Sequence, residues 1–384
     1  MRIAINTITT KKAAGGGFQI AYNFIKETLL HQDEIEWFYI TSSDLDEVLG
    51  NDFEALRGSR YFVFPTQPDF LGSYRQVRKA LLHWEEKYKP DLIYTITSPC
   101  YFTFRTTEVM RFANAWVTNP NKESWHTLSV PQRVYNYLFF IYQRRYIKKC
   151  NYFITQSETV AQGLAKISKQ PRCHIKVVPN VLPAVFKNAR VEKRLSIDWI
   201  DVACIGNPFP HKNIKIVPSV LKSLKDKGVN NIRFHLTIPE GNKLWDTIIE
   251  ECKECGLSKN VINHGRCSQL QLISVYNQCS ICFLPTLLET FSATSLEAMH
   301  FNLDIVASDY SFNREVIEDA GLYFQSLNAK DAAEKILMII NSEPLRSQMK
   351  GARIIKMKEY GNYENHIHQI ISFLLAVGEK VKQM

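Results

Sequence analysis

Short apolar runs alternate with amphipathic stretches along most of this chain. Strand-like runs in the first half are RIAINTI (2–8), EWFYIT (36–41), YFVF (61–64), DLIYTI (91–96), NAWVT (114–118), YFITQS (152–157) and HIKVVP (174–179). The second half adds DVACIG (201–206), RFHLTI (233–238), VINHG (261–265), SICFLP (280–285), LDIVAS (303–308) and GLYF (321–324). Between them lie helical patterns such as FQIAYNFIKETLL (18–30), IVPSVLKSLKDKG (216–228) and DAAEKILMIINS (331–342). Near-continuous apolar strands alternating with helices predict parallel sheets covered on both faces. The alternation breaks at PAVFKNARVEKRLS (183–196), which is charged, lacks a clear element and reads as a linker. The expected fold class is therefore α/β, with two Rossmann-like, doubly wound domains facing across a cleft. They are placed at 1–185 and 186–358, with a helical segment at 359–384 returning to the first. Open parallel sheets bind ligands beyond the carboxyl ends of their strands, so chemistry is sought there.

Length and composition agree with this picture. The chain has 384 residues, 45% of them hydrophobic, enough for two domains of ordinary size. No charged-then-apolar leader is read at the start, and no apolar run approaches the ~18 residues that span a bilayer. The formal net charge of +9 suits an anionic partner: nucleic acid, a membrane surface or a small anionic ligand. No nucleic-acid-binding motif accompanies it. Among nine cysteines, Cys252/Cys255 and Cys279/Cys282 form C-x-x-C pairs of the kind zinc ribbons use. The first pair lies in a helix pattern and Cys282 in a buried-looking strand, where cysteine packs as a small hydrophobe. No metal site is expected, and the odd count predicts reduced thiols in a cytoplasmic protein.

Two loops have the character of phosphate sites. Gly15, Gly16 and Gly17 follow the first strand and precede a helix pattern, where bare backbone N–H groups and a helix N-terminus favour an anion. The spacing matches neither a dinucleotide fingerprint nor a Walker A loop. In the second domain the strand DVACIG leads to a proline-bearing loop with His211, Lys212 and Asn213, then a helix. A lysine there can reach across the top of the sheet to a phosphate.

The segment PTLLETFSATSLEAMH (285–300) combines such a turn with two carboxylates. Glu289 falls on the loop after the strand SICFLP, and Glu297 one to two turns into a helix beginning near SLEAMHF. Ser292, Ala293 and Thr294 are small enough for backbone amides to approach an anion. Carboxylates accept hydrogen bonds from sugar hydroxyls, so the pair suggests a ligand with both phosphate and hydroxyls.

At these residues the sequence resembles the retaining glycosyltransferases of the GT-B fold, specifically family 4, also called glycosyl transferases group 1. The Glu-x7-Glu motif is matched by Glu289 and Glu297, and LEAMHFNLDIVASDYSFNREVIEDAGLYF (296–324) is similar to the rest of the carboxyl-domain signature. VVPNV (177–181) and QSETV (156–160) resemble segments that close the first domain. The likeness runs from about residue 150 to 340 and is thin before it.

The resemblance implies roles. Glu289 would bind donor-sugar hydroxyls and Glu297 the ribose, while Thr290, Phe291, Ser292 and Thr294 would line the diphosphate turn. Lys212 would meet the charge that grows on the departing diphosphate, and Gly16 and Gly17 would approach the phosphates from the first domain. Arg266, in NHGRCSQ (263–269), would lie near the base. Three departures stand out. Asn207 follows Gly206 where the family usually has an arginine, Ser292 replaces a common glycine, and Leu303-Asp304 replaces a Gly-Pro. The histidine many members carry after the strand equivalent to NAWVT is absent. NPNKESWH (119–126) leaves His126 as the candidate beside Glu289 and Lys212 for the catalytic set.

The implied activity is metal-independent, configuration-retaining transfer of a sugar from a UDP- or GDP-linked donor, with no cofactor and no protein nucleophile. The acceptor would be a glycan or a lipid-linked glycan of cell-surface polysaccharide or lipopolysaccharide synthesis. Two other readings are a non-catalytic sugar-nucleotide- or glycan-binding subunit, favoured by the missing arginine, and a sugar-nucleotide epimerase on the same fold. PQRVYNYLFFIYQRRYIKKCNYF (131–153) is dense in aromatic and basic residues. Tyr135, Phe139, Tyr142 and Tyr146 share a helical face, with Arg133, Arg144, Arg145, Lys148 and Lys149 nearby. This predicts either a domain helix with a buried aromatic stripe or peripheral attachment to an anionic cytoplasmic membrane face.

Overall fold

The apolar runs pair as parallel strands in two separate sheets. The computed structural model describes residues 1–12, 16–29, 35–65 and 74–383. Clustering of contacts divides the chain into two units. The first holds 1–119, 131–178 and 364–384, and the second holds 120–130 and 179–363.

In the first unit the strands are β1 (Arg2–Thr7), β2 (Glu36–Ser42), β3 (Tyr61–Phe64), β4 (Leu92–Thr95), β5 (Glu108–Arg111), β6 (Tyr152–Thr155) and β7 (Ile175–Val177). Their order is β3-β2-β1-β4-β5-β6-β7, all parallel. Ala4, Phe38, Ile40 and Ile93 pack with Val77, Leu81 and Trp84 of helix Tyr74–Tyr88 on one face. The final helix, Tyr363–Lys382, packs here. A side chain at Gly378 would collide with Met1, and Lys382 pairs with Asp91 at 3.0 Å.

One strand was misplaced by its pattern. NAWVT is not a strand: Ala115–Thr118 is a single helical turn, capped by the Asn114 side chain accepting from the Trp116 amide. The strand is β5, whose flanking charges Glu108 and Arg111 hid it. Arg111 is buried and Glu108 half-buried; Glu108 accepts from the Thr95 hydroxyl while desolvation lifts its carboxyl to about 7.

In the second unit the strands are β8 (Ile200–Cys204), β9 (Ile232–Leu236), β10 (Val261–Asn263), β11 (Ile281–Leu284), β12 (Asp304–Ser308) and β13 (Gly321–Phe324). The order β10-β9-β8-β11-β12-β13 is again all parallel, the doubly wound arrangement of a Rossmann sheet. One face is sealed by Val220, Leu221, Leu224, Ile248 and Ile336 over Val202, Phe234 and Phe283. The opposite face is sealed by Leu296, Met299 and Phe301 over Cys282 and Ile305. Cys252 belongs to the first of these clusters and Cys279 and Cys282 to the second, so the two C-x-x-C pairs occupy opposite faces of the sheet.

The charged stretch 183–196 is not a free linker. It contains a short helix, Ala184–Lys187, and then straps onto helix Gln269–Gln278. Phe186 is buried beside Tyr276 and Phe301, with ring centroids 6.2 Å from each. Asn277 accepts from the Glu192 amide at 2.9 Å, and Lys193 donates to the Tyr276 and Cys279 carbonyls at 3.1 and 2.8 Å. The lysine thus satisfies carbonyls at a helix C-terminus, which carry partial negative charge. Burial lowers its ammonium to about 8. Replacing Phe186 by Ala should cost about 3–5 kcal/mol, the usual loss for emptying a buried phenyl site. Chemical denaturation would show it as a lower midpoint for the second unit, and an unchanged midpoint would mean the strap is not part of that core.

Candidate active site

Strands β8 and β11 are neighbours in the sheet, yet the helices that follow them serve opposite faces. Their carboxyl ends therefore mark the switch point of the second unit, where loops separate and leave room for a ligand. Lys212 comes from the β8 loop and Glu289 from the β11 loop. The two meet as an ion pair, Nζ to Oε2 2.6 Å, with both side chains about a quarter exposed (24% and 21%).

The β8 loop is more structured than its sequence suggests. Lys212 does not stand at a helix start. It ends a 3-10 turn, Pro210–Lys212, and the helix begins only at Val217. Asn213 makes the bend between them in the left-handed region (φ 54°). Earlier in the loop the Thr237 hydroxyl bridges Gly206, accepting from its N–H at 3.1 Å and donating to its carbonyl at 3.3 Å. A Cβ at Gly206 would meet nothing within 4 Å, so protein packing does not demand the glycine. Asn207, where an arginine was expected, is exposed.

The two loops are stitched together. The Leu287 amide donates to the His211 carbonyl at 2.8 Å, and the Leu287 carbonyl accepts from Asn121 Nδ2 at 2.7 Å. The Ser308 hydroxyl donates to the Thr286 carbonyl and is itself held by Asn313 at 3.0 Å. The Phe209 ring lies parallel to His211 at 5.7 Å. Burial, reinforced by the Lys212 charge and opposed by Glu289, lowers the His211 imidazole to about 4, so it is neutral at pH 7.

The turn after β11 ends in helix Ala293–His300, which starts two residues earlier than the pattern implied. Ser292 occupies the N-cap position in extended conformation, but its side chain caps nothing and no acidic residue lies in the first turn. Ser295 Oγ is buried without a hydrogen-bond partner. Unsatisfied N–H groups at a helix start form an anion site. Phe291 and Ser292 are buried, and Thr290 and Thr294 are half-buried at this turn. Glu297 is buried and receives the Tyr276 hydroxyl at 2.5 Å. Burial raises its carboxyl even though Tyr276 works the other way. Tyr276 was not singled out from sequence, because one tyrosine in a helix pattern carries no sign of its partner.

Beyond β9 and β10 lies a polar chain that sequence reasoning also missed. Asp201 takes Arg233 at 2.8 and 3.1 Å and His235 Nε2 at 2.8 Å, and His235 Nδ1 meets His264 Nε2 at 2.9 Å. Burial works against the Asp201 carboxylate, but the bonds from His235 and Arg233 hold it below its ordinary range. Burial, then His235, lowers His264. Arg266, two residues on, is exposed.

The remaining candidates are placed as follows. His126 is exposed at the end of the short helix Lys122–His126, part of the 120–130 segment that packs on the second unit through Asn121 and through Glu123, which accepts from the Ser326 hydroxyl at 2.9 Å. Gly16 and Gly17 open helix Gly16–Thr28 of the first unit, and a Cβ at Gly16 would meet nothing within 4 Å. Gly15 lies outside the described residues.

Two Rossmann-like units in one chain, the second with a lysine–glutamate pair at its switch point, define the architecture of the GT-B glycosyltransferases. Residues 187–353, within the second unit, match the family model "Glycosyl transferases group 1". The chain is 25% identical over 178 residues to the O-antigen chain mannosyltransferase of Salmonella typhimurium, covering 46% of this chain and 47% of that protein. It is 28% identical over 167 residues to the N,N'-diacetylbacillosaminyl-diphospho-undecaprenol alpha-1,3-N-acetylgalactosaminyltransferase of Campylobacter jejuni, covering 42% and 39%. The matched stretch thus spans less than half the length of these curated relatives. The fold is shared with a glycosyltransferase from Rickettsia africae at TM-score 0.68 and 14% identity, over 99% of this chain and 98% of that one.

The His211 environment sets a pH dependence. Its folded-state value lies below the ordinary one, so the unfolded chain binds the extra proton between about pH 6.5 and 4. The stability from this group is full above that window and is lost as pH falls through it. His211→Asn should flatten the fall in stability between pH 6.5 and 4.5. Urea unfolding at several pH values would test it, and parallel profiles for both proteins would contradict it.

Proposed function

We propose that this chain is a retaining glycosyltransferase that moves a sugar from a nucleotide-sugar donor, without a metal ion, to a glycan or lipid-linked acceptor. The observation that carries the reading is the Lys212–Glu289 pair beside the uncapped start of helix Ala293–His300. Without donor, the two charges satisfy each other. A nucleotide sugar offers each a better-matched partner: the diphosphate takes Lys212 and the helix-start amides, and the sugar hydroxyls take Glu289. The charge that develops on the departing diphosphate then meets an ammonium and oriented N–H groups that need no rearrangement. Neutral His211 adds no competing charge. Glu289 orients the sugar, Glu297 turns to the ribose from its anchor on Tyr276, and the loop bearing His264 and Arg266 serves the base. The open space at Gly206 admits phosphate close to the backbone.

One of these relatives is named as an O-antigen chain mannosyltransferase and the other as a transferase acting on a diphospho-undecaprenol-linked sugar. By analogy the acceptor is lipid-linked, presented at the cytoplasmic face of a membrane. The neutral Asn207 favours a second reading, a binding subunit that holds the donor without turning it over. A transfer assay alongside donor binding separates the two.

Lys212→Ala should lower kcat for transfer by about a hundredfold or more, with a smaller change in donor KM, because the phosphate charge is largest in the transition state. Steady-state kinetics over donor concentration would check this, and a change confined to KM would reduce Lys212 to a ground-state contact. Glu289→Gln removes the charge from a hydrogen bond worth about 1.5–3 kcal/mol and should lower transfer accordingly while the protein still melts cooperatively. Activity should survive EDTA. Loss that magnesium or manganese restores would end the metal-independent reading.

A further inference from the structure

Helix Val130–Ile147 shows three distinct faces. Phe140, Gln143 and Ile147 are buried. Phe139, Tyr142 and Tyr146 turn toward Tyr101, with ring centroids at 6.3, 5.5 and 5.8 Å, so most of the aromatic stripe is spent inside the first unit. Arg144 also turns inward, donating to the Val117 carbonyl at 3.1 Å. The third face is apolar, mostly aliphatic, and uncovered: Val134, Leu138 and Ile141 are 57%, 61% and 46% exposed, with Tyr137 at 60% among them and Tyr135 at 68% beside them. Spacings of three and four residues put them on one side of the helix. The same side continues, one turn further, into exposed Arg145 and Lys148, with exposed Lys149 beside them.

Single exposed aliphatic residues are common on proteins and need no explanation. Four in a contiguous stripe on one helix mark an interaction surface. The charges choose the occupant. No aspartate or glutamate lies between Glu123 and Glu158, so a second copy of this face would bring the cations no counter-charge. An anionic lipid surface satisfies both halves at once. The aliphatic stripe enters the boundary between headgroups and acyl chains while the basic end meets lipid phosphates. Among the described residues no helix is long and apolar enough to cross a membrane, so the stripe is suited to lying on a bilayer rather than spanning it.

The geometry points to this face as a docking surface for an anionic bilayer, seated through Val134, Tyr137, Leu138 and Ile141 and held by Arg145, Lys148 and Lys149. It deepens the proposed reading, since a lipid-linked acceptor would be met there, but the surface is argued from exposure and charge alone.

Co-sedimentation with vesicles of phosphatidylcholine, with and without phosphatidylglycerol, tests it on the full chain in the absence of donor and acceptor. The protein should pellet with the anionic vesicles only and be released by high salt. Arg145→Gln, Lys148→Gln and Lys149→Gln together should weaken binding about a hundredfold, from roughly fivefold per cation. Leu138→Ser with Ile141→Ser should abolish it at low salt while the thermal melt stays cooperative. Equal binding to both vesicle types, no binding, or full binding by the serine variant would overturn the proposal. So would light scattering that finds a wild-type dimer, made monomeric by the serine substitutions, with no vesicle binding. Transfer to a water-soluble acceptor, which these variants should retain, is read separately. Vesicle binding by a chain with no transferase activity would leave the docking surface standing and remove the proposed function.

Discussion

The candidate site depends on one adjacency, the parallel pairing of β8 with β11. Lys212 and Glu289 are 77 residues apart in sequence, and nothing local brings them together. Because β8 and β11 lie side by side while their following helices go to opposite faces, the two loops part above the sheet and then face one another. Two opposite charges at 2.6 Å close that gap. In a partly buried site the pair is held against little solvent screening, yet each member retains enough exposure for a ligand to compete for it.

The supporting contacts make the arrangement stiff. The His211 and Leu287 peptides join the two loops, the Asn121 side chain holds Leu287 from outside, and the Ser308–Asn313 pair fixes Thr286. Each is a backbone carbonyl or amide satisfied by a specific partner, which leaves the loops few alternative conformations. Stiffness of this kind would serve the proposed transfer, in which charge grows on a phosphate and preoriented groups lower its cost. Close by, the orphaned Ser295 hydroxyl lies at the uncapped start of helix Ala293–His300.

The helix at 130–147 shows how burial sorts the residues of one segment between core and surface. Its aromatic residues suggested an interfacial face, but aromatic rings also make the best contacts with other rings, and Tyr101 takes them. What remains outside is the mostly aliphatic side, with Tyr135 and Tyr137, together with the basic end. The same lesson applies to the strap at 183–196. Its charges looked like those of a solvated linker, yet Lys193 is held at a helix C-terminus.

Much of this protein follows from local pattern. Strands buried on both faces must be continuously apolar, so nearly every β-strand is visible, and the strand–helix alternation dictates parallel sheets. Glu289 and Lys212 are legible as candidates because each stands in the loop after the carboxyl end of such a strand, and Glu297 because its spacing from Glu289 matches a motif. Pattern fails where a charge is buried with a partner far away in sequence. Glu108 and Arg111 concealed β5, Lys193 disguised the strap, and the Asp201–His235–His264 chain left no trace in any one segment. Whether a polar residue is solvated, paired or turned to a ligand is decided by neighbours that only the folded chain supplies, since the energy of a charge depends on what surrounds it.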